Sequence, residues 1–373
     1  MVRGYRITWV QQPKDGPAGL RIVSSRTRSV VLTALKPGAT YVAQVAAYNR
    51  FGRGTWSKVT FSVPGAAAHA DQLFAVDDQA DTLVRFPLTG GPATVALTGV
   101  TAPTDLAIDP AGNAYLASSG TVTKVPADGS TSSTVGSGDG VETDDAGNLY
   151  VSGSGGLKKT TPTGRTSTIT TAGSPYFAVA GDGTVKVLTS DRLITTISTY
   201  AAGSGTPEVQ TVTLRGLPRE VLDDEQGNLY LLEAAIGGSG AFFWELIKAG
   251  STSPVYVNTR TAEYGAAVGP DGHFYLAQSA TFCFANSEDR GTCTPDRQVA
   301  DILRYPVGGG SPTSIPVTGL STSRYVGLSL AVDESGSLYA ALLGDKPGLL
   351  RYPATGGTPT RLADGRYSLL TVG

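Results

Sequence analysis

The chain has 373 residues, enough for two domains or for one large repeat array with an appendage. Its 29 Lys+Arg against 31 Asp+Glu leave a formal charge of −2, so no electrostatic basis exists for nucleic acid or an anionic membrane surface as partner. Only 16% of residues are charged while 48 are Gly and 22 are Pro, a mix that suits short strands and tight turns and lends long helices little support. No window approaches the roughly 18 consecutive apolar residues of a membrane-spanning helix. No apolar signal-like stretch follows Met1.

At the N-terminus, "GYRITWV" (4–10) alternates apolar and polar residues as a half-buried strand does. The stretch 28–63 predicts three more strands, broken by the turn chemistry of Pro37-Gly38 and Gly52–Gly54. The spacing of Leu35, Pro37, Gly38, Tyr41, Val45, Ala47, Asn49, Gly52 and Gly54 resembles the second half of a fibronectin type III domain. The resemblance makes Tyr41 the tyrosine corner, its hydroxyl tied to the preceding turn, and places Asn49 and Gly52 in the hairpin before the last strand. Gly4-Tyr5-Arg6 matches the family's third strand, so the first two have no counterpart. The expectation is a partial β-sandwich over 1–64, cut from a longer chain or begun upstream of Met1, then a linker over 65–70.

From Asp71 to Gly373 the sequence repeats itself. One signature is a turn, Asp-x-x-Gly-Asn or a variant, with its Gly at 112, 147, 183, 227, 272 and 336. The other is a short strand usually ending at Pro: "LVRFP" (83–87), "VTKVP" (122–126), "ILRYP" (302–306) and "LLRYP" (349–353). Weaker copies stand at "KKTTP" (158–162), "RLITTI" (192–197) and "WELIK" (244–248). That makes seven strand signatures against six turns. The first unit begins after the point where its opening strand belongs, and "GRYSLLTVG" (365–373) supplies such a strand at the other end. Units of four short strands in a ring closed by the C-terminus predict an all-β fold, a seven-bladed β-propeller. A six-bladed ring with one degenerate unit outside it is the alternative.

Within "TDDAGNLYVSG" (143–153), Asp144 is expected to hold the turn's own amides, Gly147 to supply φ > 0, and Leu149 and Val151 to enter the next strand facing the core. These turns offer too few oxygen ligands for calcium and lack a distal Glu.

The unit "GVTAPTDLAIDPAGNAYLASSGTVTKVPADGSTSSTV" (99–135) resembles the NHL-type propellers, most of all the extracellular sensor of bacterial receptor serine/threonine kinases. More distantly the repeats resemble virginiamycin B lyase-like propellers, whose mechanism implies a magnesium ion and a His near Glu-x-His. Here His69 lies in the linker and His273 follows a turn glycine, and neither has a Glu two residues before it. No lyase residue is therefore carried over, and no catalytic residue, metal or cofactor is expected. No G-x-S-x-G elbow stands between a strand and a helix, and the Gly-rich runs near 135–140 and 153–156 open no helix.

Binding is the leading expectation, on the face where the innermost strands begin. Aligning the units on their turns puts Asp105, Tyr176, Glu220 and Gly265 at one level, with Thr104, Asp139, Arg219 and Tyr264 one residue earlier. Long links at 233–243 and 279–298 open on the same face, as does "TSRY" (322–325). The candidate binding set is Tyr176, Arg219, Glu220, Tyr264, Phe282, Phe284, Arg324 and Tyr325, side chains of the kind that carry interface energy. Cys283 and Cys293 sit in a polar stretch, where a disulfide in an oxidising compartment competes with two free thiols. Together these features predict a monomeric, extracellular or cell-surface propeller that binds a protein or glycan without catalysis. The alternatives are a lyase or hydrolase on the same fold, or a fragment of a larger adhesin or carbohydrate-active protein.

Overall fold

The computed structural model describes residues 2–12, 18–27, 30, 32, 40–62, 72–88, 92–171, 176–191, 193–224, 226–235, 242–261, 265–279, 300–316, 328–342, 347–355 and 357–373. The chain divides into two compact units, Met1–Ala68 and His69–Gly373. Among the described residues no helix is long and apolar enough to cross a membrane.

The first unit is one antiparallel sheet of β1 (Gly4–Gln12), β2 (Ala18–Ser24), β3 (Thr40–Asn49), β4 (Gly52–Arg53) and β5 (Ser57–Ser62). β3 pairs along its length with β1 and, on its other edge, with β4 and β5. The strand β2 escaped the sequence reading because its apolar residues, Leu20 and Ile22, are exposed at 49% and 61% and so carry no burial pattern. Tyr41 is fully buried, stacks on Phe61 and donates to Gln11 Oε1 at 3.5 Å. The turn that its hydroxyl was expected to reach lies outside the described residues. Asn49 Oδ1 accepts from Phe51 N at 2.8 Å and closes the β3–β4 hairpin as an Asx turn.

The second unit contains, among the described residues, seven four-stranded antiparallel sheets. In chain order its strands are β6 (Gln72–Asp77), β7 (Thr82–Pro87) and β8 (Thr94–Thr98); then β9 (Pro103–Ile108), β10 (Ala114–Ser118), β11 (Thr121–Val125) and β12 (Ser133–Ser137). The third group is β13 (Gly140–Thr143), β14 (Leu149–Gly153), β15 (Gly156–Thr160) and β16 (Thr166–Thr170). The fourth is β17 (Phe177–Val179), β18 (Val185–Asp191), β19 (Ile194–Tyr200) and β20 (Glu208–Thr213). The fifth is β21 (Gly216–Asp223), β22 (Leu229–Ala235), β23 (Phe242–Ile247) and β24 (Val255–Thr261). The sixth is β25 (Ala266–Val268), β26 (Phe274–Ser279), β27 (Ala300–Tyr305) and β28 (Thr313–Pro316). The last is β29 (Leu328–Val332), β30 (Leu338–Leu342), β31 (Gly348–Tyr352) and β32 (Thr360–Asp364), followed by β33 (Tyr367–Val372).

The strand β33 pairs antiparallel with β6, so the last strand of the chain completes the sheet of β6, β7 and β8. The first strands neighbour one another in a cycle: β9 lies beside β13, and the contacts pass through β17, β21, β25, β29 and β33 back to β9.

Hydrophobic packing runs between these sheets. Leu149 and Val151 pack with Ala107, Tyr115 and Val122 of the preceding sheet, while Tyr150 between them packs with Phe177, Val185 and Val187 of the next. Leu149 and Val151 thus face a core as expected, and Tyr150 faces a second one. A sheet held between two others buries both faces, and its strand reads as a continuous apolar run.

The repeated turn is a compact hydrogen-bond unit. Asp144, 4% exposed, accepts from Ala146 N at 3.0 Å and Asn148 N at 2.9 Å with Oδ1, and from the Tyr150 hydroxyl at 2.8 Å with Oδ2. Asp109 with Tyr115, and Asp333 with Tyr339, repeat the arrangement. Gly147 sits at φ 74°, a region that favours glycine, and the five equivalent glycines share it. The basic residue of the third-strand signature lies over the second-strand aromatic ring, as Lys159 does over Tyr150 at 5.0 Å and Arg351 over Tyr339 at 5.9 Å. Phrase and signature are therefore two halves of one structural contact.

Candidate functional site

An inner strand has one neighbour in its own sheet, so the amides of its other edge need partners. Several come from side chains of the adjoining sheet. Asp105 on β9 accepts from Val141 N of β13 at 2.8 Å and from its neighbour Leu106 N at 2.8 Å. Glu142 on β13 in turn accepts from Val179 N of β17 at 2.8 Å. Thr143 Oγ1 donates back to Ile108 O at 2.7 Å, and Leu370 N of β33 to Ser329 Oγ at 3.1 Å.

The seven inner strands and the residues before them surround a cavity of about 800 Å³. Asp105, Glu142 and Glu220 line it, with the exposed Thr104, Asp139 and Arg219 and the half-buried Tyr176. The three residues are half-buried. Burial raises Asp105 to about 6, against the pull of its two amide donors. Burial first and the Asp105 charge second raise Glu220 to about 7 and push Glu142 well above the ordinary glutamate range. Among the described residues the Glu220 carboxyl group has no hydrogen-bond partner.

Of the candidate binding set, Tyr176, Arg219 and Glu220 meet at this cavity, beside the aligned Thr104, Asp105, Asp139 and Gly265. Tyr264, Phe282, Phe284, Arg324 and Tyr325 lie outside the described residues, as do Cys283 and Cys293. Glu142 was missed. The aligned units hold a signal for it, because the other inner strands carry Ala107, Ala178, Leu222, Ala267 and Ala331 at its level. His273 belongs to its turn: Gly269 N donates to its carbonyl, and its Nδ1 lies 2.9 Å from Asp271 Oδ2. Among the described residues no three His, Cys, Asp or Glu side chains converge as a metal site.

Seven sheets with cyclically adjoining inner strands around a polar channel define the second unit as a β-propeller. Residues 1–63 match the family model of the fibronectin type III domain. No curated protein sequence matches the chain. Among solved structures it is similar to apo AztD from Citrobacter koseri, at 13% identity and a TM-score of 0.50, covering 99% of this chain and 98% of that one. A proposed 6-phosphogluconolactonase from Bacteroides uniformis is similar at 12% identity and a TM-score of 0.50, covering 80% and 99%. TolB from Acinetobacter baumannii matches at 12% identity and a TM-score of 0.46, covering 89% and 79%. The likeness to the first two shows a shared fold alone, on which activities vary freely.

Proposed function

We propose that this chain is an extracellular or cell-surface binding protein whose seven-bladed, NHL-type propeller recognises a protein or glycan at one mouth of its channel, without catalysis. The observation that carries the reading is the convergence of Arg219, Tyr176 and Glu220 on a polar cavity, a combination of anchoring cation, aromatic ring and acceptor suited to recognition. Seven four-stranded sheets in cyclic contact support the blade number. The fibronectin type III module at residues 1–63 suits an extracellular setting, and a Cys283–Cys293 bridge is part of the proposal.

The test is a glycan array and a panel of extracellular proteins, followed by titration of any ligand found. Arg219→Ala and Tyr176→Ala should each weaken it by about thirtyfold, or roughly 2 kcal/mol, with melting temperature unchanged. A ligand indifferent to both substitutions would remove the channel mouth as the site.

A second reading, a lyase or hydrolase on the propeller, draws on one observation. Asp105 and Glu220 face the same cavity with pKa values raised to about 6 and about 7, where a carboxyl group exchanges protons near neutrality. Turnover of a lactone or glycoside substrate that Glu220→Gln abolishes would favour this reading over binding alone.

A further inference from the structure

Two glutamates outside the proposed binding set lie wholly inside the protein. Glu233 on β22 and Glu245 on β23 are both 0% exposed. Leu231 opposes Glu245 in the strand register, and Glu233 stands two residues further along β22, so both project from one face of the sheet. The same face carries Leu229, Leu231 and Ile247, packed on Ala178, Leu188, Ile197, Val212 and Leu214 of the preceding sheet. That sheet presents there apolar side chains and the Ser190 and Thr195 hydroxyls, which bond each other at 2.7 Å, while Lys186 further along is paired with Asp223 at 2.6 Å.

The donors available to the pair are few. Glu233 Oε2 accepts from Gly216 N at 2.7 Å. Arg215 Nε stands 3.0 Å from Glu245 Oε1, off the hydrogen-bond direction, while the guanidinium lies over the Tyr256 ring and is 63% exposed. Among the described residues Arg215 is the charged group recorded against the pair. The second Glu233 oxygen and both Glu245 oxygens are buried without a donor. The strand register sets the two side chains diagonally across the β22–β23 pair, so the carboxyl groups are neighbours. Carboxylates only accept, so a proton on one of them relieves two such groups left without a donor.

We propose that Glu233 and Glu245 hold one proton between them at neutral pH and form a pH-sensitive latch at the start of β21. With that proton the pair carries one negative charge, which Arg215 compensates. Without it a second negative charge is buried with no partner, which is costly. Burial first and the neighbouring Glu245 second raise the Glu233 pKa far above the ordinary 4.5, while the Gly216 and Arg215 amides oppose the shift only in part. The latch pulls on the amide of Gly216, which opens the strand carrying Arg219 and Glu220 to the cavity.

The sign follows from a folded pKa above the unfolded one. The latch acts fully below about pH 4.5 and is lost as pH rises toward about 9. Across that window this one group raises the unfolding constant by up to about tenfold per pH unit.

The test is urea unfolding of the whole chain at several pH values from 5.5 to 9.5, for wild type, Glu233→Gln and Glu245→Gln. Glu233→Gln keeps an N–H donor toward Glu245 and an acceptor for Gly216 but cannot ionise. The ratio of wild-type to Glu233→Gln unfolding constants should climb by about tenfold per pH unit above neutrality. Parallel profiles would overturn the proposal. Glu245→Gln, which removes the neighbouring charge, should move the alkaline loss to lower pH even if the first variant does not fold, and an unmoved profile would also overturn it. So would stabilisation by Ca²⁺ or Mg²⁺ at fixed pH that Glu233→Gln abolishes, because the pair would then hold a cation in place of a proton.

Discussion

Replacing Asp144 by Ala should remove about 3–4 kcal/mol of stability and leave recognition intact. Its carboxylate serves Ala146 N, Asn148 N, Asn148 Nδ2 and the Tyr150 hydroxyl, all within 2.7–3.0 Å. Three of these donors are buried, Tyr150 completely. Each orphaned buried donor costs about 1–3 kcal/mol, and water entering the vacated space returns part of the sum. The pair with Lys159 at 3.4 Å, 23% exposed, adds less than about 1 kcal/mol. Tyr150→Phe removes one of the same bonds and should cost about 1 kcal/mol, and the double variant should fall short of the sum by about that amount. Urea unfolding followed by the fluorescence of the buried Trp244 and by far-ultraviolet circular dichroism reads all three. A loss below about 1 kcal/mol for Asp144→Ala, with Tyr150→Phe silent, would refute the structural account of the repeated phrase.

Two further outcomes are expected. Deleting residues 364–373 removes β33, leaves the β6 edge unpaired and should lower the melting temperature and promote aggregation; an unaltered melting curve would show that closure by β33 contributes nothing. If Cys283 and Cys293 are bridged, the intact mass of the natively secreted protein should rise by about two hydrogens on reduction. Two alkylatable thiols before reduction would end that expectation and weaken the extracellular assignment.

The legible part of the fold is the part in which local chemistry and tertiary role coincide. Gly112, Gly147, Gly183, Gly227, Gly272 and Gly336 announce themselves because a tight turn needs φ > 0, and all six have it. The third-strand phrases fall on β7, β11, β15, β19, β23, β27 and β31, the third strand of each sheet counted from the channel. The β2 strand is silent since nothing described covers Leu20 and Ile22. At the cavity, Tyr176, Arg219 and Glu220 could be aligned by counting back from the turns. Glu142 needed a comparison across units at a level where alanine dominates. Glu233 and Glu245 were out of reach for another reason. Their meeting depends on the β22–β23 register and on the preceding sheet covering both, and neither is written in any local pattern.

The pairing of β33 with β6 also sets an order of events during synthesis. The strands of residues 72–98 leave the ribosome before β33, the partner for the free edge of β6. At about 5–20 residues per second that edge waits on the order of 15–60 s, with hydrogen-bonding groups open to any passing strand. The protein's most exposed moment is therefore its own translation, and chaperone demand should track the synthesis of residues 99–366 rather than the stability of the finished ring.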